Sequence, residues 1–386
     1  MQNEKILNPG FLLACCVNFL FFAAFYMLIP VLPLYLIDDL GADEATTGVL
    51  LSAYVISALA VRPWSGHIVD SYPRKRVFLL CATGYALVFW GYLWITPFLL
   101  FGLLRVLHGF AFGMANTAST TLAVDMIPQA RMGTGIGFFG LTSAVPMALG
   151  PMMGMQLYTN YGATAVFYGS VILAGTGFLL GIFIPAPGSK SVAKTAGTNF
   201  WEKIYLPQAK KSGLSLACVG FSYGLVLNFI SIFAKETGIA VNVGLFFCLL
   251  AVGMIVSRLF AGRFIDKGQH KEIIILGTLL CALTLVVMLS LHGPTVFLAT
   301  ALLYGMGTGL VMPAYQTLFI NMAPPEQRGL ANSSFFVAWD SGIGIALFTG
   351  GFIAQASSFT VLYFVGAVLL ALSAAYSKLG GALSSS

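Results

Sequence analysis

Long stretches without a charged side chain constrain this sequence more than any other feature. A helix needs roughly 20 apolar residues to cross the hydrocarbon core of a membrane. Charge-free runs of that length include residues 6–37, 77–104, 132–189, 212–234, 273–325 and 341–377. Only 8% of the residues are charged, against roughly a quarter in soluble domains. The sequence therefore predicts an all-α integral membrane protein.

The sequence also contains an internal repeat. The segment from Arg62 to Asp70 recurs from Arg258 to Asp266, 196 positions later, with Arg, Gly and Asp at matching places. Such self-similarity indicates that the protein is built from two copies of one structural unit. The same displacement relates Gly109 to Gly305, Gly113 to Gly309, Pro128 to Pro324, Gly133 to Gly329 and Gly154 to Gly350.

The repeat divides the chain into two pseudo-symmetric six-helix bundles, at 1–184 and 210–386. Between them, residues 185–209 are polar and rich in Pro, Gly, Ser and Thr, which is typical of a linker. An even number of spans gives both copies the same topological sense, as in a parallel repeat. We therefore predict twelve transmembrane helices, and those of the first copy lie near 11–36, 46–69, 77–95, 98–123, 133–157 and 163–184.

Basic residues are concentrated in alternate connections, which the positive-inside rule places in the cytoplasm. Among the basic residues in connections, only Lys235 then falls on the other side. The net charge of +6 therefore reflects the orientation of the chain in the membrane and does not indicate a nucleic-acid partner. Both termini are expected in the cytoplasm of a bacterial inner membrane. The cytoplasmic set is Lys5, Arg74, Lys75, Arg76, Arg131, Lys190, Lys194, Lys203, Lys210, Lys211, Lys267, Lys271, Arg328 and Lys378.

The repeated segment resembles a loop signature of the major facilitator superfamily, and the resemblance covers essentially the whole chain. Gly66, Asp70 and Arg74 stand at its positions, and Gly262 and Asp266 form a degenerate second copy. A glycine permits close helix approach, and an aspartate is favoured at a helix N-terminus, where Arg74 can pair with it. The resemblance implies a gating latch between the halves. Simple positive-inside anchoring is the alternative.

The fourth predicted span carries an intramembrane arginine. Arg105 is followed by Gly109 and Gly113, as in a second motif that this superfamily carries, with His108 where glutamine is usual. Inserting an arginine at that depth of the membrane costs about 2.5–3.5 kcal/mol of free energy, which indicates a functional role or an ion pair. Its repeat partner is Ala301. Helical spacing places Arg105, His108, Phe112, Asn116 and Ser119 on one face, which we expect to line a cavity.

The fifth span is similar to a signature of proton-coupled exporters in the superfamily. Gly137, Gly150, Pro151 and Gly154 match its positions, while Pro146 and Met155 replace expected glycines. Spaced glycines with a proline give a bendable, closely packed helix. Ordinary membrane packing explains these residues nearly as well.

Asp340, in the eleventh span, is flanked by apolar sequence on both sides. Buried carboxylates have perturbed pKa values of the kind that proton carriers need. We expect Asp340 to carry the coupling proton, with Arg105 or His108 sensing its charge. Asp125, at the cytoplasmic end of the fourth span, completes the proton-coupling candidates. A static polar contact between helices is the alternative for Asp340.

The resemblance further implies a substrate cavity drawn mainly from spans one, four, seven and ten. Its aromatic and amide groups indicate an amphipathic or modestly polar substrate, although interfacial anchoring explains any single tyrosine as well. The candidates are Asn18, Phe22, Tyr26, Phe112, Asn116, Tyr223, Asn228, Tyr304, Tyr315, Gln316 and Trp339.

The expected function is proton-coupled efflux of a small drug, sugar or metallophore-type compound, similar to bacterial drug/proton antiporters. Proton symport or facilitated import is the alternative, and a non-transporting receptor or lipid scramblase is a remote one. Beyond the substrate, protons and the lipid bilayer, no partner is expected, and the resemblance favours a monomer.

An enzyme is not expected. Gly220, Ser222 and Gly224 fit a nucleophile-elbow pattern, but in a helical context rather than at a strand-to-helix turn. The sequence has neither an HExxH nor a P-loop motif. The six cysteines lack metal-type spacing. No metal or cofactor is therefore expected.

Overall fold

The computed structural model describes residues 8–42, 44–95, 97–186, 205–239, 241, 243–291 and 293–378. Within these ranges the protein is helical and contains no strand, which confirms the predicted all-α class. Twelve long helices are described there: α1 Pro9–Leu28, α2 Glu44–Ser71, α3 Arg74–Trp94, α4 Phe98–Val124, α5 Met132–Tyr161, α6 Ala163–Ile182, α7 Lys210–Glu236, α8 Val243–Asp266, α9 His270–Ser290, α10 Pro294–Asn321, α11 Arg328–Ala356 and α12 Phe359–Lys378.

Eleven of these helices are long and apolar enough to cross a membrane. The remaining helix, α11, has 29 residues and carries both Arg328 and Asp340. Large apolar side chains on the outer helix faces are solvent-accessible in the isolated chain, and Leu99 is 85% exposed. Leu80 and Trp94 of α3 are similarly exposed. Contiguous apolar surface of this extent is suited to lipid.

The first span ends earlier than its sequence pattern predicts. Asn8 caps α1, because its side-chain oxygen accepts a 2.8 Å hydrogen bond from the backbone N–H of Phe11. The helix stops at Leu28, before Pro30. A helical turn at Val31–Leu34 and a π-helical turn at Tyr35–Asp39 follow. The predicted continuous helix 11–36 is therefore wrong beyond Leu28, where Pro30 interrupts the helix.

Repeated glycines bring two pairs of helices into close contact. A Cβ at Gly109 of α4 would overlap the backbone carbonyl of Tyr54 in α2. At the equivalent place in the second copy, a Cβ at Gly305 of α10 would overlap the carbonyl of Leu250 in α8. Only glycine allows backbones to approach so closely. The repeat thus preserves the same close packing in both copies.

Contacts between Cα atoms group the chain into two units. The first unit comprises residues 1–128, 142–205 and 325–333. The second comprises residues 129–141, 206–324 and 334–386. The first turns of α5 and α11 thus pack with helices of the opposite sequence half. The predicted linker, 185–209, lies mostly outside the described residues.

Candidate functional site

In the first unit, α4 places an arginine and a histidine around one phenol. Nη1 of Arg105 donates to the Tyr92 hydroxyl at 3.3 Å, and that hydroxyl lies 2.8 Å from Nδ1 of His108. Nη2 of Arg105 donates to the carbonyl of Leu51 at 3.3 Å. The predicted pair of Arg105 and His108 is therefore brought together, through a tyrosine of α3 that the sequence did not indicate.

Aromatic rings surround the imidazole, and we call His108 with these rings the His108 cage. His108 itself is fully buried. The rings with centroids 5.0–5.9 Å from that of His108 belong to Phe25, Tyr54, Tyr85, Phe89 and Tyr92. The Arg105 guanidinium lies 4.7 Å from the Tyr54 ring centroid, within cation–π range.

Predicted cavity residues of the first unit lie beside this cage. Phe112 stacks on Phe25 with ring centroids 5.1 Å apart, and Phe22 contacts both Phe112 and Tyr26. Phe22, Phe112 and Tyr26 are half-buried, as is Asn116. These side chains form a partly open aromatic layer next to the buried His108.

The first-unit candidate Asn18 has partners from two helices. Its side-chain amide donates to the Thr142 hydroxyl at 2.7 Å. The Ser119 hydroxyl donates to the side-chain oxygen of Asn18 at 3.3 Å. Asn18 is 3% exposed, so these contacts link α1, α4 and α5 in the protein interior.

In the second unit, the hydroxyls of two predicted cavity tyrosines bond to serines. The Tyr304 and Ser222 hydroxyls are 2.8 Å apart, and the Tyr315 and Ser215 hydroxyls are 2.6 Å apart. Both tyrosines are fully or almost fully buried. Ser215 also bonds to Ser373 of α12 at 2.6 Å. A buried hydroxyl network thus joins α7, α10 and α12.

The other second-unit candidates lie on α7, α10 and α11. The Tyr223 and Trp339 rings have centroids 5.0 Å apart. The Asn228 amide donates to the Gly224 carbonyl of its own helix at 2.8 Å. Gln316 and Asp340 are half-buried.

The two repeated aspartates accept hydrogen bonds from helix N-termini. Asp70 accepts from the backbone N–H groups of Gly329 (2.9 Å) and Leu330 (2.7 Å), which begin α11. Asp266 accepts from the N–H groups of Gly133 (2.7 Å) and Thr134 (3.2 Å), which begin α5. Negative charge is stabilised at helix N-termini by the free amides and the helix dipole. Equivalent residues thus make equivalent contacts in each copy.

Glycines permit this approach. A Cβ at Gly66 would lie 2.5 Å from Cβ of Ser333, and one at Gly262 would overlap the backbone of Thr134. In α5, a Cβ at Gly150 would lie 2.6 Å from Cβ of Tyr26, and one at Gly154 would overlap the carbonyl of Met27. These glycines therefore set the helix spacing.

The remaining residues of the fifth-span motif are less constrained. A Cβ at Gly137 would lie 3.3 Å from the carbonyl oxygen of Arg258, which is a tight contact rather than an overlap. The side chain of Pro151 lies outside the described ones.

We call the cluster of Arg74, Asp125 and Arg328 the corner. It distinguishes the two copies, because the equivalent contact in the second copy is between uncharged residue types. Arg74 bonds to Asp125 at 2.5 Å and to Asp70 at 2.9 Å, and Arg328 lies 3.3 Å from Asp125. Asp125 directly follows the end of α4, 20 residues beyond Arg105 and about 30 Å away. The structure therefore places this proton-coupling candidate in the corner rather than in the His108 cage.

The second copy has His270 and Asn321 at the places of Arg74 and Asp125. The Asn321 amide lies 3.3 Å from Nε2 of His270. The side-chain amide of Gln129 donates to Oδ1 of Asn321 at 3.3 Å. The ion pair between Arg74 and Asp125 is therefore replaced by a contact between His270 and Asn321.

Sequence reasoning missed two buried arginines. Only Arg105 and Asp340 stand out as charged groups in apolar sequence, yet Arg62 of α2 is 4% exposed and Arg258 of α8 is 7% exposed. Nη1 of Arg258 donates to the carbonyl of Gly140. The sequence did carry one signal for them, because both arginines stand at the same position of the repeated segment, together with its glycine and aspartate. An arginine that only faced solvent would not need to recur in both copies.

The whole-chain comparison decides the family. Residues 14–213 and 212–380 match the family model described as Major Facilitator Superfamily. The chain belongs to the major facilitator superfamily. This transporter is thus a multi-pass membrane protein of a family that handles small-molecule substrates, and such families are generally not enzymes.

Among curated relatives, the transporter is 23% identical to a staphylopine export protein of Staphylococcus aureus over 374 residues, covering 93% of each chain. It is 25% identical to the uncharacterized MFS-type transporter YhhS of Escherichia coli over 384 residues, covering 96% of this chain and 92% of YhhS. Both relatives match along nearly their full length.

Solved structures share the fold. The human organic anion transporter MFSD10 superposes with a TM-score of 0.83 at 16% identity, covering 96% of this chain and 100% of that one. The Escherichia coli fucose:proton symporter FucP gives 0.79 at 15% identity, covering 97% and 98%. At such identities these likenesses show the fold alone.

Proposed function

We propose that this transporter exports a small amphipathic or polar organic compound in exchange for protons, by alternating access. The Arg105, Tyr92 and His108 arrangement on α3 and α4 carries this proposal. A charged group inside a membrane is expensive and marks substrate or proton pathways. The outward direction is supported by similarity to a staphylopine export protein.

Asp340 is the proposed proton carrier. It is the one acidic residue in the middle of α11, and it is half-buried. Protonation would remove its charge, and Arg105 or His108 would respond to that change during the transport cycle. If Asp340 instead made only a static contact between helices, its substitution would leave proton-coupled transport unchanged.

The Asp70 and Asp266 contacts are proposed to act as latches. Each joins helices from opposite sequence halves through a carboxylate and a helix N-terminus. Alternating access requires such contacts to break and re-form, and the close packing at Gly150 and Gly154 suits a bending helix. The functional halves are proposed at 1–184 and 210–386.

We further propose a monomer in a bacterial inner membrane with both termini in the cytoplasm, as the positive-inside distribution favours. Fusing a fluorescent protein or alkaline phosphatase to the C-terminus tests the orientation. Fluorescence without phosphatase activity is expected, and the opposite pattern would exclude a cytoplasmic C-terminus.

Everted vesicles with an acidified lumen test the transport proposal. A pH-sensitive dye is followed while cationic, anionic, sugar-like and metal-chelate compounds are added. A substrate should relieve the acidification with the wild type and with Glu236→Gln, an exposed control, but not with Asp340→Asn. An equal response from Asp340→Asn would remove Asp340 as carrier. Accumulation by intact cells, without any response in everted vesicles, would replace export by import.

A further inference from the structure

Three buried polar atoms around Arg105 have no hydrogen-bond partner among the described residues. They are the Tyr54 hydroxyl, Nε of Arg105 and Nε2 of His108. The exposed fractions of these side chains are 7%, 6% and 0%. Buried polar groups are normally satisfied, so each exception calls for an explanation. A ligand group that accepts hydrogen bonds would supply one.

All three atoms can act as hydrogen-bond donors. The Tyr92 oxygen accepts from Arg105, so its own proton is available for Nδ1 of His108. A neutral His108 whose Nδ1 accepts this proton carries its hydrogen on Nε2. Nε of a guanidinium always carries hydrogen, and the Tyr54 hydroxyl can donate. All three atoms can therefore donate to one ligand group.

The charged side chain at this cluster is positive, which also favours a ligand group that accepts hydrogen bonds. Arg62, two helical turns beyond Tyr54, acts electrostatically on the Tyr54 phenol together with Arg105. Within the described residues, Arg105 donates hydrogen bonds to a phenol and a backbone carbonyl, and no carboxylate takes part. Asp125 is about 30 Å away, directly after the end of α4. A negatively charged ligand group would balance the charge of Arg105.

The second repeat shows that the fold does not require these donors. Leu250, Ala301 and Tyr304 occupy the positions equivalent to Tyr54, Arg105 and His108. The Tyr304 hydroxyl is satisfied by Ser222. The same helix packing is therefore built there with neither an arginine nor an unsatisfied donor at these three positions.

We propose that Arg105 and the His108 cage bind the carboxylate of an amphipathic organic anion, and that such anions are the substrate class. The inference rests on the proposed transport function and specifies its substrate. Tyr54 and His108 donate to the carboxylate, while Arg105 supplies positive charge. Phe25 of the cage and the neighbouring Phe112 are half-buried, and they contact the apolar body of the substrate. Rotation of these two rings would open the route to the donors.

Binding to the purified full-length protein in lipid nanodiscs tests this assignment without any gradient. Calorimetry compares phenylalkanoates and naphthylalkanoates with their methyl esters and with amines of the same body. The carboxylates should bind, and the esters and amines at least about tenfold more weakly, because charge-assisted hydrogen bonds are lost. Arg105→Gln should weaken carboxylate binding by about tenfold or more, and Tyr54→Phe by roughly three- to tenfold.

Two variants control for the chemistry of substitution. Tyr363→Phe removes a buried hydroxyl of the second unit that donates to the Leu225 carbonyl. Arg263→Gln removes an exposed guanidinium. Both should retain wild-type affinity, and melting temperatures should show that every variant is folded.

Equal binding of acids and esters, preference for the amines, or absence of carboxylate binding would overturn the proposal. Carboxylate binding that is unchanged in Arg105→Gln and Tyr54→Phe would overturn its location. Because the assay needs no proton gradient, failed proton-coupled export would leave a positive binding result standing. Conversely, export of only neutral or cationic compounds would remove the anion class while retaining the transport function.

Discussion

Asp70 and Asp266 occupy equivalent positions in the two repeats, and each carboxylate accepts hydrogen bonds from the first backbone amides of a long helix. The helix is α11 for Asp70 and α5 for Asp266. The surroundings differ, because Arg74 bonds to Asp70 whereas His270 stands at the equivalent place. The two contacts are therefore alike in geometry, while their neighbouring side chains differ in charge.

Asp70→Asn should weaken the contact with α11. An amide keeps one acceptor but loses the negative charge that the helix N-terminus and Arg74 favour, at a cost of about 1–2 kcal/mol. Hydrogen exchange should then accelerate by roughly 5–30-fold at Gly329 and Leu330. Mass spectrometry of peptides covering these residues measures the effect. Unchanged exchange there, or equal acceleration in Glu236→Gln, would contradict the latch contact.

His270→Arg should strengthen the second latch. The new guanidinium would stand four residues after Asp266, as Arg74 does after Asp70. We expect slower hydrogen exchange at Gly133 and Thr134, with a gain of about 0.2–1 kcal/mol that falls as salt is added. Lys271→Arg, which keeps the charge, is the control. A salt-independent gain would rule out an ionic origin.

Arg74 and Asp125 should be energetically coupled. Each side chain is at most 14% exposed, so removal of one partner leaves the other charge poorly solvated. A double-mutant cycle with Arg74→Gln and Asp125→Asn should give a coupling of about 1–3 kcal/mol. Thermal unfolding in nanodiscs measures the four proteins. Additive losses would show that the corner is not held by this pair.

Gly109→Ala should destabilise the first unit. The added Cβ would overlap the Tyr54 carbonyl, and overpacking of this kind costs about 1–3 kcal/mol. Gly84→Ala in α3 is the matched control, because nothing lies within 4 Å of its added Cβ. This control should be neutral or slightly stabilising, since alanine favours helices. Equal melting temperatures for the two variants would contradict the close packing.

Part of this arrangement could be predicted from the sequence because it depends on local chemistry. The spacing of Gly66, Asp70 and Arg74 predicts a carboxylate that caps a helix and pairs with an arginine, and the structure contains both contacts. The charge-free runs predict membrane helices for the same reason, because a span requires only length and composition.

Other contacts depend on tertiary packing, which a periodic pattern does not specify. Helical spacing places His108 on a face with Arg105, but nothing in that spacing selects Tyr92 of α3 as their shared partner. Likewise, Arg328 lies 203 residues from Asp125 in the chain. The depth of Arg62 and Arg258 also depends on where their helices pack. The substrate, proton-coupling and latch roles stay predictions.

The packing of residues 325–333 with the first unit has a consequence for biosynthesis. These residues follow most of the second repeat in the chain, yet their contacts belong with residues 1–128 and 142–205. Translation proceeds from the N-terminus, so this unit is incomplete until the start of α11 has been synthesised. Ribosome-bound chains shorter than this should therefore leave the Asp70 carboxylate without its helix, however completely the first six spans have been inserted.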